Sequence, residues 1–373
     1  PMSEAEKAAT PATLVSPQVA NGSSGLPFFG DITEHRDEIE ASTEPRLENQ
    51  FLLDERYLIL ELVGRSGMAS IYRARDRLSS NREVAIKVPL LKVESNPVAY
   101  AMFRNEEKVG LSLSHPAVLK FFPGPQRKSR PYLVTEFLRG SALSHLIRPN
   151  LPLPEENALR LIALVCKAVA HMHERGFVHC DLKPENIMVC IDRSIRLMDF
   201  GLSSPPLRSK SVISKLNPVC GTPEYMAPEQ VENGPIDGRT DIYSLGAMLY
   251  EMLTGKVPFQ CEDAWKSAFQ RTSGDPEALR TINPRVSPQA EEIVLHAMQR
   301  MPSDRYASIK DFQGELVRPE TVVVSGYSDR LKPPRWKMSF QGTPILMGLV
   351  IGFGVLSGLI TLFFALLPGP LVK

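Results

Sequence analysis

The chain has 373 residues, of which 43% are hydrophobic and 23% charged, and this globular composition excludes a fibrous or wholly disordered protein. Its 43 Lys and Arg against 42 Asp and Glu leave a formal charge of +1, so no nucleic-acid partner attracted by bulk positive charge is expected. The five cysteines are spread without a Cys-x-x-Cys pair, which argues against a disulfide framework or a zinc ribbon and favours a reducing cytosolic setting.

The predicted elements divide the chain into a tail and two structured regions. Residues 1–50 combine Pro, Ser, Gly and Thr clusters with an acidic stretch, and they are expected to form a disordered N-terminal tail. Short runs rich in Val, Ile, Leu and Tyr predict antiparallel strands, at 57–63, 71–75, 83–88 and 132–137. Apolar residues at helical spacing predict helices, at 103–113, after Pro154, at 241–253 and at 290–298. The pattern therefore predicts an α+β fold, with a strand-rich lobe followed by a helix-rich lobe.

Several short motifs carry the chemistry. One runs from His179 to Asn186 and reads His-Cys-Asp-Leu-Lys-Pro-Glu-Asn; Val-Ala-Ile-Lys (84–87) precedes it, and Asp-Phe-Gly (199–201) and Ala-Pro-Glu (227–229) follow it. Each motif alone is more often a turn or a chance match, but the whole set in this order and spacing is not expected by chance. The set resembles the eukaryotic-type (Hanks-type) Ser/Thr protein kinases, in the style of the bacterial membrane-anchored members, over residues 57–317.

The resemblance implies a bilobal protein-kinase fold, a kinase domain over residues 51–318, ATP and Mg²⁺ as ligands and proteins as substrates. Asp181 is expected to be the catalytic base that accepts the proton of the substrate hydroxyl. Lys183 is expected to offset charge on the transferred phosphoryl group. Asn186 and Asp199 supply hard oxygen ligands of the kind that Mg²⁺ accepts.

The resemblance also predicts the residues around the nucleotide. Lys87 is expected to hold the α and β phosphates, with Glu106 as its carboxylate partner and Glu107 as the second choice. At the hinge, Thr135 resembles the gatekeeper that precedes the backbone meeting the adenine. The other predicted nucleotide contacts are Val63, Gly64, Arg65, Ser66, Gly67, Met68, Ala69, Ile71, Ala85, Glu136 and Leu138.

Two positions depart from the family pattern. The usual Gly-x-Gly-x-x-Gly loop reads Gly-Arg-Ser-Gly-Met-Ala over 64–69, with Ser66 and Ala69 at two glycine positions. Because Ser and Ala tolerate left-handed geometry less well than glycine, weaker or slower nucleotide handling is expected, though not its loss. Cys180 stands where many kinases have an Arg that pairs with a phosphate on the activation segment, so activity is not expected to depend strongly on phosphorylation through this position.

Three further residues fit the family pattern outside the nucleotide site. Thr222, in the stretch 221–229 that resembles the substrate-docking loop, matches the position characteristic of Ser/Thr rather than Tyr specificity. Asp241 is expected to brace the backbone of the catalytic loop. Arg305 is expected to pair with Glu229, and both of these roles are structural rather than catalytic.

The end of the chain predicts one transmembrane helix at 345–367, because these 23 residues carry no charge and are long enough to cross a bilayer. It is expected to follow a juxtamembrane linker at 319–344 and to precede a short tail at 368–373. Basic residues lie mainly before the span, which puts the kinase domain on the cytoplasmic side, in the style of a bacterial inner-membrane protein. These residues are Arg330, Lys332, Arg335 and Lys337.

Two features of the sequence leave alternatives open. The Gly-x-x-x-Gly pairs at 348–352 and 354–358 could let two spans approach closely, so a homodimer is one possible state. A pseudokinase acting as a membrane-anchored scaffold is the alternative function, suggested by the degenerate glycine loop but opposed by the full set of charged catalytic residues. A small-molecule kinase is opposed by Thr222 and the Ala-Pro-Glu motif, which favour protein substrates.

Overall fold

The computed structural model describes residues 47–205, 222–260 and 264–334. Most of the predicted tail at 1–50, the predicted span at 345–367 and the segment 368–373 lie outside these ranges. Within the ranges that are described, no helix combines the length and the apolar character needed to cross a membrane.

A five-stranded antiparallel sheet forms the first lobe, with its strands hydrogen-bonded in chain order. They are β1 Leu52–Leu53, β2 Tyr57–Arg65, β3 Ala69–Asp76, β4 Arg82–Pro89 and β5 Leu133–Glu136. In β4 the period of two sends Val84, Ile86 and Val88 into the core of this lobe. The same alternation turns Ala85 and Lys87 to the opposite face of the sheet, where Lys87 meets Glu106 of the next long helix.

Two helices follow β4, namely α1 Leu91–Glu94 and α2 Pro97–Ser112. The sequence predicted the second helix only from residue 103, whereas it begins at Pro97. Asn96 caps it, since its side-chain oxygen accepts from the backbone N–H groups of Val98 and Ala99 at 3.0 and 3.1 Å. Proline at the first helical position fits the same start, because its missing N–H has no partner to lose there.

The second lobe is helical, with a small three-stranded sheet at its boundary with the first. Its strands are β6 Gly140–Ala142, β7 Ile187–Cys190 and β8 Ile195–Leu197. Its helices are α3 Glu155–Glu174, α4 Pro228–Val231, α5 Gly238–Thr254, α6 Ala264–Ser273, α7 Leu279–Ile282, α8 Pro288–Ala297 and α9 Ile309–Val317. Single 3₁₀ turns lie at Leu143–His145, Pro184–Asn186, Pro302–Asp304, Pro319–Thr321 and Ser328–Arg330. The predicted bilobal α+β fold is confirmed.

The core of the helical lobe is built around α3 and α5. The apolar stripe of α3 is fully buried at Ile162, Val165 and Val169, and α5 is buried along nearly its whole length. At its end Gly255 takes the left-handed conformation (φ 71°) that lets the chain leave the helix, and a Cβ there would lie 2.8 Å from the Leu151 nitrogen.

Residues 322–334, which we call the strap, cross the outer surface of the helical lobe after α9. The buried carboxylate of Glu292 on α8 accepts from the backbone and hydroxyl of Ser325 at 2.7 and 2.5 Å, and from the Tyr327 backbone at 3.3 Å. Further along, Asp275 and Lys332 exchange two hydrogen bonds, Asp275 N to Lys332 O at 2.7 Å and Lys332 N to the Asp275 carboxylate at 2.9 Å. The strap is therefore packed against the lobe by specific polar contacts.

Gly274→Ala is expected to lower the free energy of unfolding by about 1–3 kcal/mol, because the strap leaves no room for a side chain. A Cβ at Gly274 would lie 2.3 Å from the Pro334 backbone, so the strap must shift. Gly314→Ala is the matched control: a Cβ there meets nothing within 4 Å, and alanine in a helix should stabilise by roughly 0.5–1 kcal/mol. Urea unfolding of both variants checks the opposite signs, and equal effects would contradict the packed strap.

Candidate active site

The buried ion pair of the first lobe joins β4 to α2. The Lys87 ammonium lies 2.8 and 2.7 Å from the two carboxylate oxygens of Glu106, which is 5% exposed. Glu107, the second choice from the sequence, instead contacts Lys128 at 2.5 Å. Burial alone would lower the pKa of Lys87, but the carboxylates of Glu106 and Asp199 raise it above its ordinary value, so the ammonium stays charged.

The catalytic loop is held by one buried carboxylate on α5, as the sequence predicted. Asp241 accepts from the backbone N–H groups of His179 and Cys180 at 2.9 and 3.0 Å, and His173 on α3 lies 2.8 Å from the same carboxylate. Burial would raise the pKa of Asp241, but His173, His179 and these donors hold it below its ordinary value. The anchoring fixes Cys180 at φ 68°, a conformation that a non-glycine residue adopts only when its surroundings enforce it.

Cys180 itself is a buried, structural thiol. Its sulfur lies 3.5 Å from the Val178 carbonyl and 3.7 Å from the Ser204 hydroxyl. Burial raises the pKa of the Cys180 thiol, which keeps it protonated and removes it as a candidate nucleophile. Gln230 on α4, which sequence reasoning missed, donates to the Cys180 carbonyl at 2.8 Å and ties the catalytic loop to the docking loop.

The Asp181 carboxylate is oriented by three neighbours. Thr222 donates to one carboxylate oxygen from its backbone N–H at 2.9 Å and from its hydroxyl at 3.1 Å. Lys183 lies 3.2 Å from the other oxygen and donates to the Thr222 hydroxyl at 2.8 Å. Asn186 donates its amide N–H to the Asp181 backbone carbonyl at 2.8 Å and to its carboxylate at 3.2 Å. The structure therefore brings these four side chains together.

Asp199 begins the Asp-Phe-Gly turn and takes the left-handed conformation, with φ 62°. Burial would raise its pKa, but the positive charges of Lys87 and Lys183, together with the nearby imidazole of His179, hold the pKa below its ordinary value, so the carboxylate is ionised. Asn105 on α2, a residue that the sequence did not single out, donates its amide to the carbonyls of Gly201 and Ser203 at 3.0 and 2.9 Å. The helix that carries Glu106 thus also fixes the segment after Asp199.

The chemistry of two residues suits a divalent cation. Asp199 offers an ionised carboxylate, and Asn186 uses its amide N–H groups on Asp181, which leaves its side-chain oxygen as a ligand. Within the described residues no group of three or more His, Cys, Asp or Glu side chains could hold a metal ion. By their chemistry, the Asp199 carboxylate and the Asn186 side-chain oxygen suit a hard cation that takes its other ligands from water and phosphate oxygens.

The glycine-poor loop between β2 and β3 forms a tight turn without left-handed residues. None of the residues 64–69 has a positive φ. Ser66, at one of the family's glycine positions, closes the turn by accepting from the backbone N–H groups of Met68 and Ala69 at 3.3 and 3.1 Å. The backbone strain expected from Ser66 and Ala69 is therefore absent from this loop, and slower nucleotide handling stays a prediction.

Three of the other predicted nucleotide contacts lie on neighbouring strands, β3, β4 and β5. Ile71 pairs with Lys87 across the β3–β4 ladder, and Ala85 pairs with Thr135 across β4 and β5. The side chain of Glu136 turns to Lys120 and Arg196 rather than to the cleft, since one oxygen accepts from the Lys120 backbone at 3.0 Å and from Arg196 at 3.2 Å. The remaining predicted contacts are half-buried or exposed: Val63, Gly64, Arg65 and Leu138 are half-buried, whereas Gly67 is exposed.

The docking loop is fixed by a buried ion pair, as the sequence predicted. Arg305 donates to the two carboxylate oxygens of Glu229, each at 2.8 Å, and both side chains are almost wholly buried. Thr240 donates to one of the same oxygens at 2.8 Å. The guanidinium also donates to the carbonyls of Gln299 at 2.7 Å and Arg239 at 2.9 Å, so the polar groups around the pair have partners.

Comparisons with known proteins agree with this geometry. Residues 57–315 match the family model described as the protein kinase domain. The serine/threonine-protein kinase PknB of Mycolicibacterium smegmatis is 32% identical over 270 residues, which cover 71% of this chain and 43% of PknB. The serine/threonine-protein kinase PrkC of Bacillus subtilis is 33% identical over 261 residues, 70% of this chain and 40% of PrkC. The chain thus spans less than half the length of these curated relatives.

Proposed function

The chain belongs to the protein kinase family, and from this premise we propose that it is a serine/threonine protein kinase that uses ATP and Mg²⁺. The observation that carries the proposal is the set of charges around one cleft: the Lys87–Glu106 pair, the ionised Asp199 and the Asp181–Lys183 pair. Phosphoryl transfer needs positioning and neutralisation of charge more than covalent chemistry, and these groups supply both.

Each of these side chains has one role in the transfer of the phosphoryl group. The oxygen of a substrate Ser or Thr bonds to the γ-phosphorus of ATP, and the bond from that phosphorus to the oxygen retained by ADP breaks. Asp181, held in place by Thr222, takes the hydroxyl proton. Lys183 balances the charge of the moving phosphoryl group, and Lys87 binds the α and β phosphates while Glu106 fixes its position.

The family's metal is assigned to Asp199 and Asn186, whose free oxygens match the preference of Mg²⁺ for hard ligands. When bound, the ion supplies positive charge to the phosphate oxygens. The role of this chain is to keep Asp199 ionised, through Lys87 and Lys183, and to present the Asn186 oxygen by binding its amide N–H to Asp181.

The test is the transfer of label from [γ-³²P]ATP to dephosphorylated casein by the purified chain. With MgCl₂ present we expect labelled casein that yields phosphoserine and phosphothreonine but no phosphotyrosine, and we expect EDTA to stop the reaction. Label confined to phosphotyrosine, or none above a protein-free blank although ATP binds, would overturn the proposal.

Glu106→Gln is expected to lower kcat/KM for ATP by about 10- to 100-fold, since a misplaced Lys87 no longer meets the phosphates correctly. The substitution keeps the size of the side chain and removes only its charge. Glu107→Gln is the matched control, one residue along the same helix, and its pairing with Lys128 lies away from Lys87. Steady-state kinetics of both variants check this, and a larger loss in the control would contradict the assignment of Glu106.

We also propose that residues 345–367, which lie outside the described residues, anchor the chain in a membrane with the kinase domain on the cytoplasmic side. The support is 23 uncharged residues after a basic stretch. The Gly-x-x-x-Gly pairs within them are the proposed contact of a homodimer. Alkaline carbonate extraction tests the anchor: the full chain should stay with the membranes and a variant lacking 345–373 should not, and release of both would refute it.

A further inference from the structure

Arg271 on α6 is a buried cation without a carboxylate partner among the described residues. Its relative exposure is 0%, and it is the largest fully buried side chain of the described structure. Two of its guanidinium nitrogens donate to backbone carbonyls, one to Met226 and one to Glu224 at 3.0 Å, while its Nε has no hydrogen-bond partner within the part of the chain that the structure describes. The guanidinium carbon lies 5.3 Å from the centre of the Phe259 ring.

These two carbonyls belong to the docking loop, shortly after Thr222 in the chain. The loop turns tightly there, since the backbone N–H groups of Tyr225 and Met226 both donate to the Thr222 carbonyl, at 3.0 and 3.2 Å. Thr222 in turn donates twice to the Asp181 carboxylate. A continuous series of contacts therefore runs from the Arg271 guanidinium through the docking loop to the proposed catalytic base.

The helix that carries Arg271 is itself fixed against the docking loop. Ala268 on α6 packs with Met226 and Val231 in a small apolar cluster, separate from the main core of the lobe. At its other end α6 leads into Gly274 and Asp275, where the strap is hydrogen-bonded. Helix α6 is thus fixed by the apolar cluster and by the strap that follows it, and Arg271 adds a polar contact between α6 and the docking loop.

Burial opposes the charge of this side chain and lowers the pKa of Arg271. The two carbonyls, the Phe259 ring and the more distant charge of Glu224 offset that cost less well than a carboxylate in direct contact does. An apolar side chain of similar volume could fill the same space without the cost, so packing alone does not account for an arginine. Its forked donors, however, can fix two carbonyls of one turn at once, which an apolar residue cannot do.

We propose that Arg271 is a positioning residue that sets the docking loop and so determines how a protein substrate is presented to Asp181. The inference rests on the proposed kinase function and deepens it at the same site. Arg271 lies outside the predicted nucleotide contacts, so its effect falls on the protein substrate and not on ATP.

The test compares the full chain with Arg271→Met and Arg271→Lys, using casein and ATP as the varied substrates. For Arg271→Met we expect KM for casein to rise about tenfold and KM for ATP to stay within about twofold, the pattern of a lost contact on one substrate only. Arg271→Lys keeps the positive charge, but its ammonium lacks the fork that reaches both carbonyls at once. Its KM for casein should therefore lie between that of the parent and that of Arg271→Met. Arg160→Met, an exposed arginine of α3, is the control and should match the parent.

Unchanged KM for casein in a folded Arg271→Met variant would overturn the inference, and so would equal rises in both KM values. If the methionine variant does not fold, the lysine variant decides: a casein-specific rise supports the positioning role, and parental kinetics refute it. The parent chain separates this result from the proposed function. A parent that labels casein while both variants match it removes only the role of Arg271, whereas a parent without transfer removes the kinase proposal and this inference with it.

Discussion

Asp181→Asn is expected to lower kcat for phosphoryl transfer to casein by about 10²- to 10⁴-fold, the usual contribution of a positioned general base. Asparagine keeps the shape of the side chain and can still accept from Thr222, so the loop should keep its geometry. What is lost is the capacity to take the proton of the substrate hydroxyl. The dissociation constant for ATP should stay close to that of the parent, because the Asp181 backbone carbonyl still accepts from Asn186 and the Lys87–Glu106 pair is untouched.

Asp192→Asn is the control for this variant, since Asp192 is an exposed carboxylate in the turn between β7 and β8 and accepts hydrogen bonds from Ser194. Rapid-quench or steady-state measurement of kcat, together with calorimetric binding of ATP, checks the prediction. A loss of less than about tenfold with ATP binding intact would mean that Asp181 is not the base.

Arg305→Met is expected to lower the free energy of unfolding by about 3–5 kcal/mol, because it leaves a buried carboxylate without its cation. Among the described residues the Glu229 carboxylate then keeps only Thr240 as a partner, and the carbonyls of Gln299 and Arg239 lose the Arg305 donors as well. An unpaired buried charge costs much more than the ion pair gains, so removing one member is worse than removing both.

The double variant Glu229→Gln with Arg305→Met should therefore be more stable than Arg305→Met alone. Lys310→Met is the control, because the Lys310–Glu174 pair has a similar length, 2.8 Å, but side chains that are 68% and 57% exposed. Water and salt already weaken such a pair, so no measurable loss is expected. Urea unfolding of the three variants checks both points, and equal losses at Arg305 and Lys310 would contradict the buried role.

The sequence was most informative where the chemistry lies in contiguous motifs. Asp181, Lys183 and Asn186 lie within one eight-residue stretch, and a short loop pinned by Asp241 leaves them little freedom. The bilobal fold followed from the same motifs together with the alternation of strands and the long apolar stripes. The choice between Glu106 and Glu107 also had a local signal, since Glu106 shares a helix face with Phe103 and Val109, which are three residues away on each side.

The sequence was least informative where a polar side chain binds the backbone of a distant segment. Asn105 fixes the carbonyls after Asp199, and Arg271 fixes those of the docking loop, but a backbone carbonyl has no residue identity that a pattern could reveal. The strap was missed for a similar reason, since two of the three hydrogen bonds that Glu292 accepts from it come from backbone N–H groups. Such contacts depend on the assembled fold, whereas a motif depends only on its neighbours along the chain.

The start of α2 was missed although its signal was present. Asn96 followed by Pro97 is a typical beginning of a helix, but the apolar residues that predicted the helix start only at Phe103. Ser66 is the opposite case, because the family pattern suggested a backbone strain at this position that the local geometry does not show. Its hydroxyl closes the turn and none of its neighbours needs a positive φ.

The central claim is that Lys87, Asp181 and Asp199 serve one triphosphate and its divalent ion. The most direct test is a crystal structure of the chain with Mn²⁺ and a non-hydrolysable ATP analogue, in which anomalous scattering locates the ion. We predict an anomalous peak bound by the Asp199 carboxylate and the Asn186 oxygen, with the Lys87 ammonium on the α and β phosphates. A nucleotide bound elsewhere, or an ion that touches neither Asp199 nor Asn186, would contradict the account.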